Sequence, residues 1–492
     1  MKKIIVIGAG ISGLATASLL ARDGHEVTVL EKNNQPGGRA GVLEKNGYRF
    51  DPGPSWLMMP DIFEKYFSEF KVDMDDLMDL KKLEPSYRAF FAPDDFQDIF
   101  SDLEKNKNFF EQRQPGSYDL LKKFVTAGEG KYKRALRSYF YGPSDNITDF
   151  LSPDLPSDIL FFAKQKIWQS YDQNVRQYFS DERLYKILSW HTVFLGGSPK
   201  SLPSLYTMMD YVDFVGGTFY PKQGIHGLIQ AMVKVATNQG VKIIYNQPVN
   251  KINIINERNK QLVTSQEKYQ AEIVVNSADY HHVETKLLDK EYQSYPEEYW
   301  SKKEIAPSAL QIHLGINKKL KNIKHHNYFF TGDWDRHFQQ IFNKPTWPDN
   351  PLYYVCNPSQ TSDQIAPPGH EVLTFLVPVA AGLSDDEETR QQQARQVISM
   401  FERDTKQSIT NNITVKLITS HRDQKKLFNA YKGTGYGLSH ITSQTAVFRP
   451  KKKNKKIPNF YHTGQYTHPG IGMPPVIASA YGTYATIKRD LQ

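Results

Sequence analysis

Residues 4–13 read Ile4-Ile5-Val6-Ile7-Gly8-Ala9-Gly10-Ile11-Ser12-Gly13, and the helical pattern Leu14-Ala15-Thr16-Ala17-Ser18-Leu19-Leu20 follows. An apolar strand running into Gly-x-Gly-x-x-Gly and then a helix is the opening of a Rossmann-type unit. Each glycine has its own task. Gly8 permits the tight turn off the strand. Gly10 lets a pyrophosphate approach the backbone, and Gly13 lets helix and strand pack closely. The free N–H groups at the helix start then face phosphate. Val27-Thr28-Val29-Leu30 reads as the second strand, with Gly24 turning into it and Glu31 at its end. A carboxylate there accepts hydrogen bonds from the adenosine ribose hydroxyls.

The next segment, Gln35-Pro36-Gly37-Gly38-Arg39-Ala40, resembles the extended glycine motif of flavoproteins related to amine oxidases and carotenoid desaturases. An arginine beside a pyrophosphate makes physical sense, because guanidinium contacts phosphate through two parallel hydrogen bonds. The implied cofactor is FAD.

Further marks extend the likeness along the chain. They are Phe50-Asp51-Pro52-Gly53-Pro54-Ser55, Leu195-Gly196-Gly197-Ser198-Pro199, Phe219-Tyr220-Pro221-Lys222-Gln223-Gly224 and Gln444-Thr445-Ala446-Val447-Phe448-Arg449-Pro450. The longest is the segment 459–477, which contains His462-Thr463-Gly464-Gln465 and Pro469-Gly470-Ile471-Gly472-Met473-Pro474. Together they resemble the bacterial phytoene desaturase family, which includes desaturases of thirty-carbon (4,4′-diapophytoene) carotenoids. The resemblance implies FAD held noncovalently between both chain ends. Val249 would meet the adenine. Gly464 would approach the phosphates and ribityl chain, and Gly470, Gly472, Met473 and Pro474 would border the flavin ring. A helix N-terminus there stabilises negative charge on a reduced flavin.

The implied fold is α/β. It has a discontinuous Rossmann-type FAD-binding domain (residues 1–60, about 220–300, and 450–492). A helical lobe spans about 61–215 and is a candidate for membrane association. A mixed-sheet substrate domain spans about 300–450. The implied substrate is a lipophilic polyene, and electrons would leave the flavin to oxygen, a quinone or another acceptor. Asp149 matches an acidic position considered as an acid/base group in the family. Its plain alternative is a helix N-cap or surface acid. Relatives often carry an arginine shortly afterwards, whereas this chain has Ser152 near that place. His191 is a further candidate, against a plain reading as a core histidine.

Composition bounds the rest. A chain of 492 residues with 39% hydrophobic and 23% charged residues is a folded protein of more than one lobe. No apolar run reaches the roughly 20 residues of a membrane span, and the apolar run at the N-terminus stops at Gly8, too short for a signal core. A cytoplasmic protein is expected, with the inner membrane face as a docking surface. The single cysteine, Cys356, lies in an apolar run, which predicts a buried thiol. The net charge of +8 includes the run Lys451-Lys452-Lys453-Asn454-Lys455-Lys456. That run reads as a solvated loop or as an attraction to anionic lipid. No nucleic-acid module accompanies it. His281-His282 and His325-His326 are adjacent pairs, a spacing that sets them against a shared metal. Rival readings are a porphyrinogen or amine oxidase, a carotenoid end-group oxygenase, or a noncatalytic prenyl-binding relative.

Overall fold

The computed structural model describes all of residues 1–492. Its first sheet is five-stranded and wholly parallel, in the order 460–462, 273–276, 3–7, 26–30, 242–244. Buried parallel strands must be apolar on both faces, and the first strand divides its side chains by alternation. Ile4 and Val6 enter a core formed with helices Ile11–Arg22, Ile225–Asn238 and Met473–Leu491. Ile5 and Ile7 enter a second core against the antiparallel meander 251–254, 260–263, 268–271. Three separate stretches of chain thus build one cofactor-side unit.

The second large sheet is seven-stranded and mixed, in the order 413–419, 308–316, 371–379, 353–356, 326–329, 87–92, 95–99. One face packs Leu310, Phe329, Val355 and Phe375 against helix Glu387–Thr405. The other carries Tyr87, Ala309, Tyr328, Tyr354 and Leu376 and meets the helical segments of residues 103–214. Residues 61–215 are therefore not helical throughout. Tyr87-Arg88-Ala89-Phe90-Phe91-Ala92 forms a strand that pairs in parallel with 326–329. Its aromatic run suits a pleated surface with partners on both faces. No helix is long and apolar enough to cross a membrane.

Candidate active site: a cofactor cleft continuous with an aromatic cavity

A cavity of about 790 Å³ begins at the glycine turn and ends between the two sheets. At the cofactor end the three glycines behave differently. Gly8 has φ +98°, which an L side chain resists, and its N–H bonds Leu30 O at 2.8 Å. A Cβ on Gly13 would stand 2.1 Å from Gly8 O, so only glycine permits this helix–strand approach. A Cβ on Gly10 would meet nothing within 4 Å, because it would project into open cavity. Helix Ile11–Arg22 begins with no side-chain cap and no acid in its first turn, which leaves its N–H groups for an anion.

Glu31 is buried, and its oxygens organise this turn. Oε2 accepts from Ala9 N–H at 2.7 Å, and Oε1 accepts from Asn33 N–H at 2.8 Å. Burial raises its carboxyl above the ordinary range, although these hydrogen bonds oppose the rise. A carboxylate has about four lone-pair sites, so it retains acceptor capacity for ribose hydroxyls. Arg39 lines the cavity with its Nε unpartnered, and its Nη2 makes one long bond of 3.4 Å to Thr434 O. A guanidinium with five donors and so few partners suits a phosphate. The Gly10 gap, the under-bonded Arg39 and the uncapped helix all fit FAD. Gly37, Gly38, Val249 and Gly464 line the same cleft.

The C-terminal loop is held from below by two residues whose function sequence reasoning missed. The buried Arg449 donates from Nη2 to Gln465 O at 2.7 Å and from Nε to Tyr466 O at 3.3 Å. His440 Nε2 stands 3.3 Å from Pro469 O, and its Nδ1 bonds Leu195 O at 2.9 Å. A Cβ on Gly470 would stand 2.1 Å from His440 Nε2, so glycine is what lets the loop rest on the imidazole. Gly472, Met473 and Pro474 line the cavity where helix Met473–Leu491 begins, again without a side-chain cap. The presence of Arg449 in a quoted sequence mark was its only signal. Nothing in the chain order pairs it with residue 465.

Beyond the cofactor end the wall is aromatic. Trp56 stacks on Tyr328, with ring centroids 5.5 Å apart, and Tyr87 packs edge-on to Tyr328 at 5.0 Å. Tyr354, Trp190, Phe194 and Tyr436 continue the lining. Such faces offer dispersion contacts to a flat apolar ligand and negative quadrupoles to a positive charge. His191 also lines the cavity. Its Nε2 meets Tyr171 OH at 2.7 Å, and burial lowers its pKa to about 4, so it is neutral.

Asp149 is placed elsewhere. It is absent from the cavity wall; its Oδ2 accepts from the N–H groups of Asp145 and Asn146, each at 2.9 Å. Its Oδ1 pairs with Arg489 at 2.8 Å, so the arginine partner comes from the last helix. Burial pushes this carboxyl up, but the hydrogen bonds and Arg489 outweigh it and leave the pKa below the ordinary range. The basic run at 451–456 is only partly solvated. Lys452 is buried against Ser144 and Asp145, and Lys453 pairs with Asp490 at 2.7 Å. His325 and His326 do converge with Cys356, their donor atoms lying within 4.8 Å of one another. Both Nδ1 atoms bond hydroxyls, of Thr361 and Tyr354, while both Nε2 atoms are buried without a partner, and burial pushes the Cys356 thiol up.

This fold and cleft define an FAD-dependent oxidoreductase. Residues 11–483 match the family described as flavin containing amine oxidoreductase, and the chain belongs to that family. It is 36% identical to the carotenoid 3,4-desaturase of Haloarcula japonica, over 99% of this chain and 98% of that protein. It is 30% identical to the ζ-carotene-forming phytoene desaturase of Myxococcus xanthus, over 97% and 92%. It is 28% identical to the 4,4′-diaponeurosporene-forming 4,4′-diapophytoene desaturase of Staphylococcus haemolyticus, over 99% of each. Among solved structures, an oxidoreductase from Methanosarcina mazei shares the fold with a TM-score of 0.62 at 18% identity, covering 97% of this chain and 98% of that one.

Proposed function

We propose that this protein is an FAD-dependent desaturase that introduces double bonds into a long isoprenoid hydrocarbon, phytoene or 4,4′-diapophytoene, in carotenoid biosynthesis. The observation that carries the reading is the aromatic cavity opening directly from the cofactor cleft. A hydrocarbon has no polar handle, so orientation must come from burial along a shaped apolar wall. Bound FAD supplies a two-electron oxidant able to accept a hydride from an allylic carbon. The chain's residues do the remainder. Gly10, Arg39 and the two uncapped helix termini would hold the cofactor. Trp56, Tyr87 and Tyr328 line the cavity with aromatic rings that would stabilise the delocalised cation left on the substrate. The full-length identities to named carotenoid desaturases support this reading.

An exposed patch supports delivery from a membrane surface. Ile147, Leu151, Ile159, Leu160 and Trp168 are each 59–73% exposed, with exposed Lys164 and Lys166 beside them. Isolated exposed apolar residues mean little, but five of them within residues 147–168 beside basic residues fit an interfacial anchor. Phe161 of this segment packs under Arg134 at 3.8 Å on helix Ser117–Ser138, which also contributes Ala135 and Leu136 to the cavity wall. The patch thus lies one helix away from the substrate space. The electron acceptor is oxygen or a quinone.

The test is reconstitution with FAD in liposomes carrying phytoene or 4,4′-diapophytoene, under air and anaerobically with added quinone. New long-wavelength polyene bands are expected, and the two atmospheres distinguish the acceptors. A flavin-loaded protein that leaves both polyenes unchanged overturns the reading in favour of an oxidase of another substrate.

A further inference from the structure

The cavity contains a carboxyl that the sequence motifs do not mark. Asp213 lies in a π-helical turn, Val212–Gly216, that continues the helix carrying Met208 and Met209. Single π turns interrupt helices most often at functional sites. Met208 packs against both the cofactor-side core and the core of the mixed sheet, so this segment bridges the two ends of the cavity. Asp213 is 8% exposed and lines the cavity. Its Oδ2 accepts from Tyr87 OH at 3.0 Å, while its Oδ1 is buried without a partner. A buried carboxylate oxygen left unbonded is destabilising and leaves acceptor capacity open. The other acids of the cavity wall are already bonded, Glu31 by the N–H groups of Ala9 and Asn33 and Asp279 by Tyr466 OH and His282 N–H. Asp149 is committed to Arg489, and Asp210, whose Oδ1 also lacks a partner, is fully buried against Tyr171 OH at 2.5 Å and off the cavity lining.

Resting on the desaturase reading, the geometry assigns Asp213 as the proton acceptor of the reaction. Desaturation removes two hydrogens from adjacent carbons. One C–H bond breaks with its electron pair passing to oxidised flavin, which is reduced by two electrons. The neighbouring C–H bond then breaks with its proton passing to the Asp213 carboxylate, and its electron pair closes the new C=C bond. The carboxyl becomes neutral and returns the proton to solvent before the next turnover. Tyr87 supports the anionic form by donating to Oδ2. The groups facing Asp213 are Tyr87 and Tyr328 from the mixed sheet, Asp210 on its own helix, and Tyr171 behind Asp210. All three tyrosines are held neutral by burial. Burial raises Asp213 to about 7, so its base form grows as pH rises through neutrality.

The test uses FAD-loaded Asp213→Asn, Asp213→Glu and Tyr87→Phe beside the wild type, with flavin bleaching by polyene followed in single turnovers. Asp213→Asn is expected to bind FAD like the wild type but to bleach about 10²-fold or more slowly, with Asp213→Glu recovering part of the loss. The wild-type rate rises with pH through about 7. Tyr87→Phe, which removes the bond favouring the anion, moves that limb to higher pH. Infrared titration of the apoprotein is expected to lose a protonated-carboxyl band near pH 7 that Asp213→Asn lacks. Bleaching by Asp213→Asn within about threefold of the wild type, a limb unmoved in Tyr87→Phe, or an unchanged infrared band overturns the assignment. A wild type that never bleaches with polyene fails earlier, at the desaturase reading, and the assignment falls with it.

Discussion

Adding one methyl group at each of two glycines separates cofactor binding from folding. At Gly10 the backbone is ordinary, φ −74° and ψ 175°, and a Cβ meets nothing within 4 Å. Gly10→Ala should therefore leave the thermal unfolding of the FAD-free protein unchanged. The methyl occupies the space a pyrophosphate must approach, and overpacking of that kind costs about 1–3 kcal/mol. The FAD dissociation constant should rise on the order of 10–100-fold, since 1.4 kcal/mol is a factor of ten. At Gly13 the same methyl would stand 2.1 Å from Gly8 O, a distance no relaxation of a side chain relieves. Gly13→Ala should lower the unfolding temperature of the FAD-free protein itself. The assays are differential scanning fluorimetry without FAD and quenching of flavin fluorescence on titration. If Gly10→Ala binds FAD as tightly as the wild type, or destabilises the apoprotein as much as Gly13→Ala does, the roles given to these glycines are refuted.

Glu31→Ala should weaken FAD binding and also loosen the turn, because the carboxylate holds Ala9 N–H and Asn33 N–H; faster amide exchange at residue 9 in the FAD-free variant checks the second effect. Asp149→Ala should cost about 1–2 kcal/mol, the usual loss for a capping side chain, in denaturant titrations, while bleaching per bound flavin is retained. Leu160→Glu and Trp168→Glu should each weaken flotation with anionic vesicles on the order of tenfold, from lost apolar burial, with unfolding in solution unchanged. Stability should fall as pH drops from about 6.5 towards 4. His191, His313 and His337 are depressed to about 4, and His325, His440 and His468 to about 3, so the unfolded chain takes up the extra protons. The raised carboxyls Glu31, Asp51, Asp61, Glu64, Asp145, Asp210, Asp213 and Glu371 oppose this, but with His25, His226, His282, His326 and His421 also lowered the histidines outnumber them. Urea midpoints that stay flat from pH 7.5 to 5 would contradict the sum.

The cofactor end was legible because its signals are local. Strand, glycine turn, helix and acid follow one another within residues 4–31, and each residue's task depends on neighbours a few positions away. The C-terminal loop was readable as a motif, but its support was not. His440 and Arg449 reach residues 469 and 465 through the fold, and no periodicity announces such a contact. Tyr87–Ala92 looked like part of a helical region because a short apolar aromatic run has no period of its own; its partner at 326–329 lies far along the chain. Asp213 was hidden for the opposite reason. An acid in a helical stretch looks solvated until packing shows that Tyr87 is its partner and that it lines the cavity. Asp149, prominent by resemblance, is bonded to backbone and to Arg489.

The parallel sheet that opens the chain has a consequence for synthesis. Strands 3–7 and 26–30 are made first, yet the neighbour at 273–276 and the edge at 460–462 come much later. At about 5–20 residues per second, the interval between residues 30 and 460 lasts roughly 20–90 s on the ribosome. Throughout it the apolar face of helix Ile11–Arg22 lacks the helix Met473–Leu491 that covers it in the finished protein. The nascent chain therefore emerges with sticky early strands and a half-built nucleotide cleft, a species open to aggregation and a natural client for holding chaperones. FAD, whose candidate cleft is lined by residues from both ends of the chain, would then act as a late clasp on the finished fold.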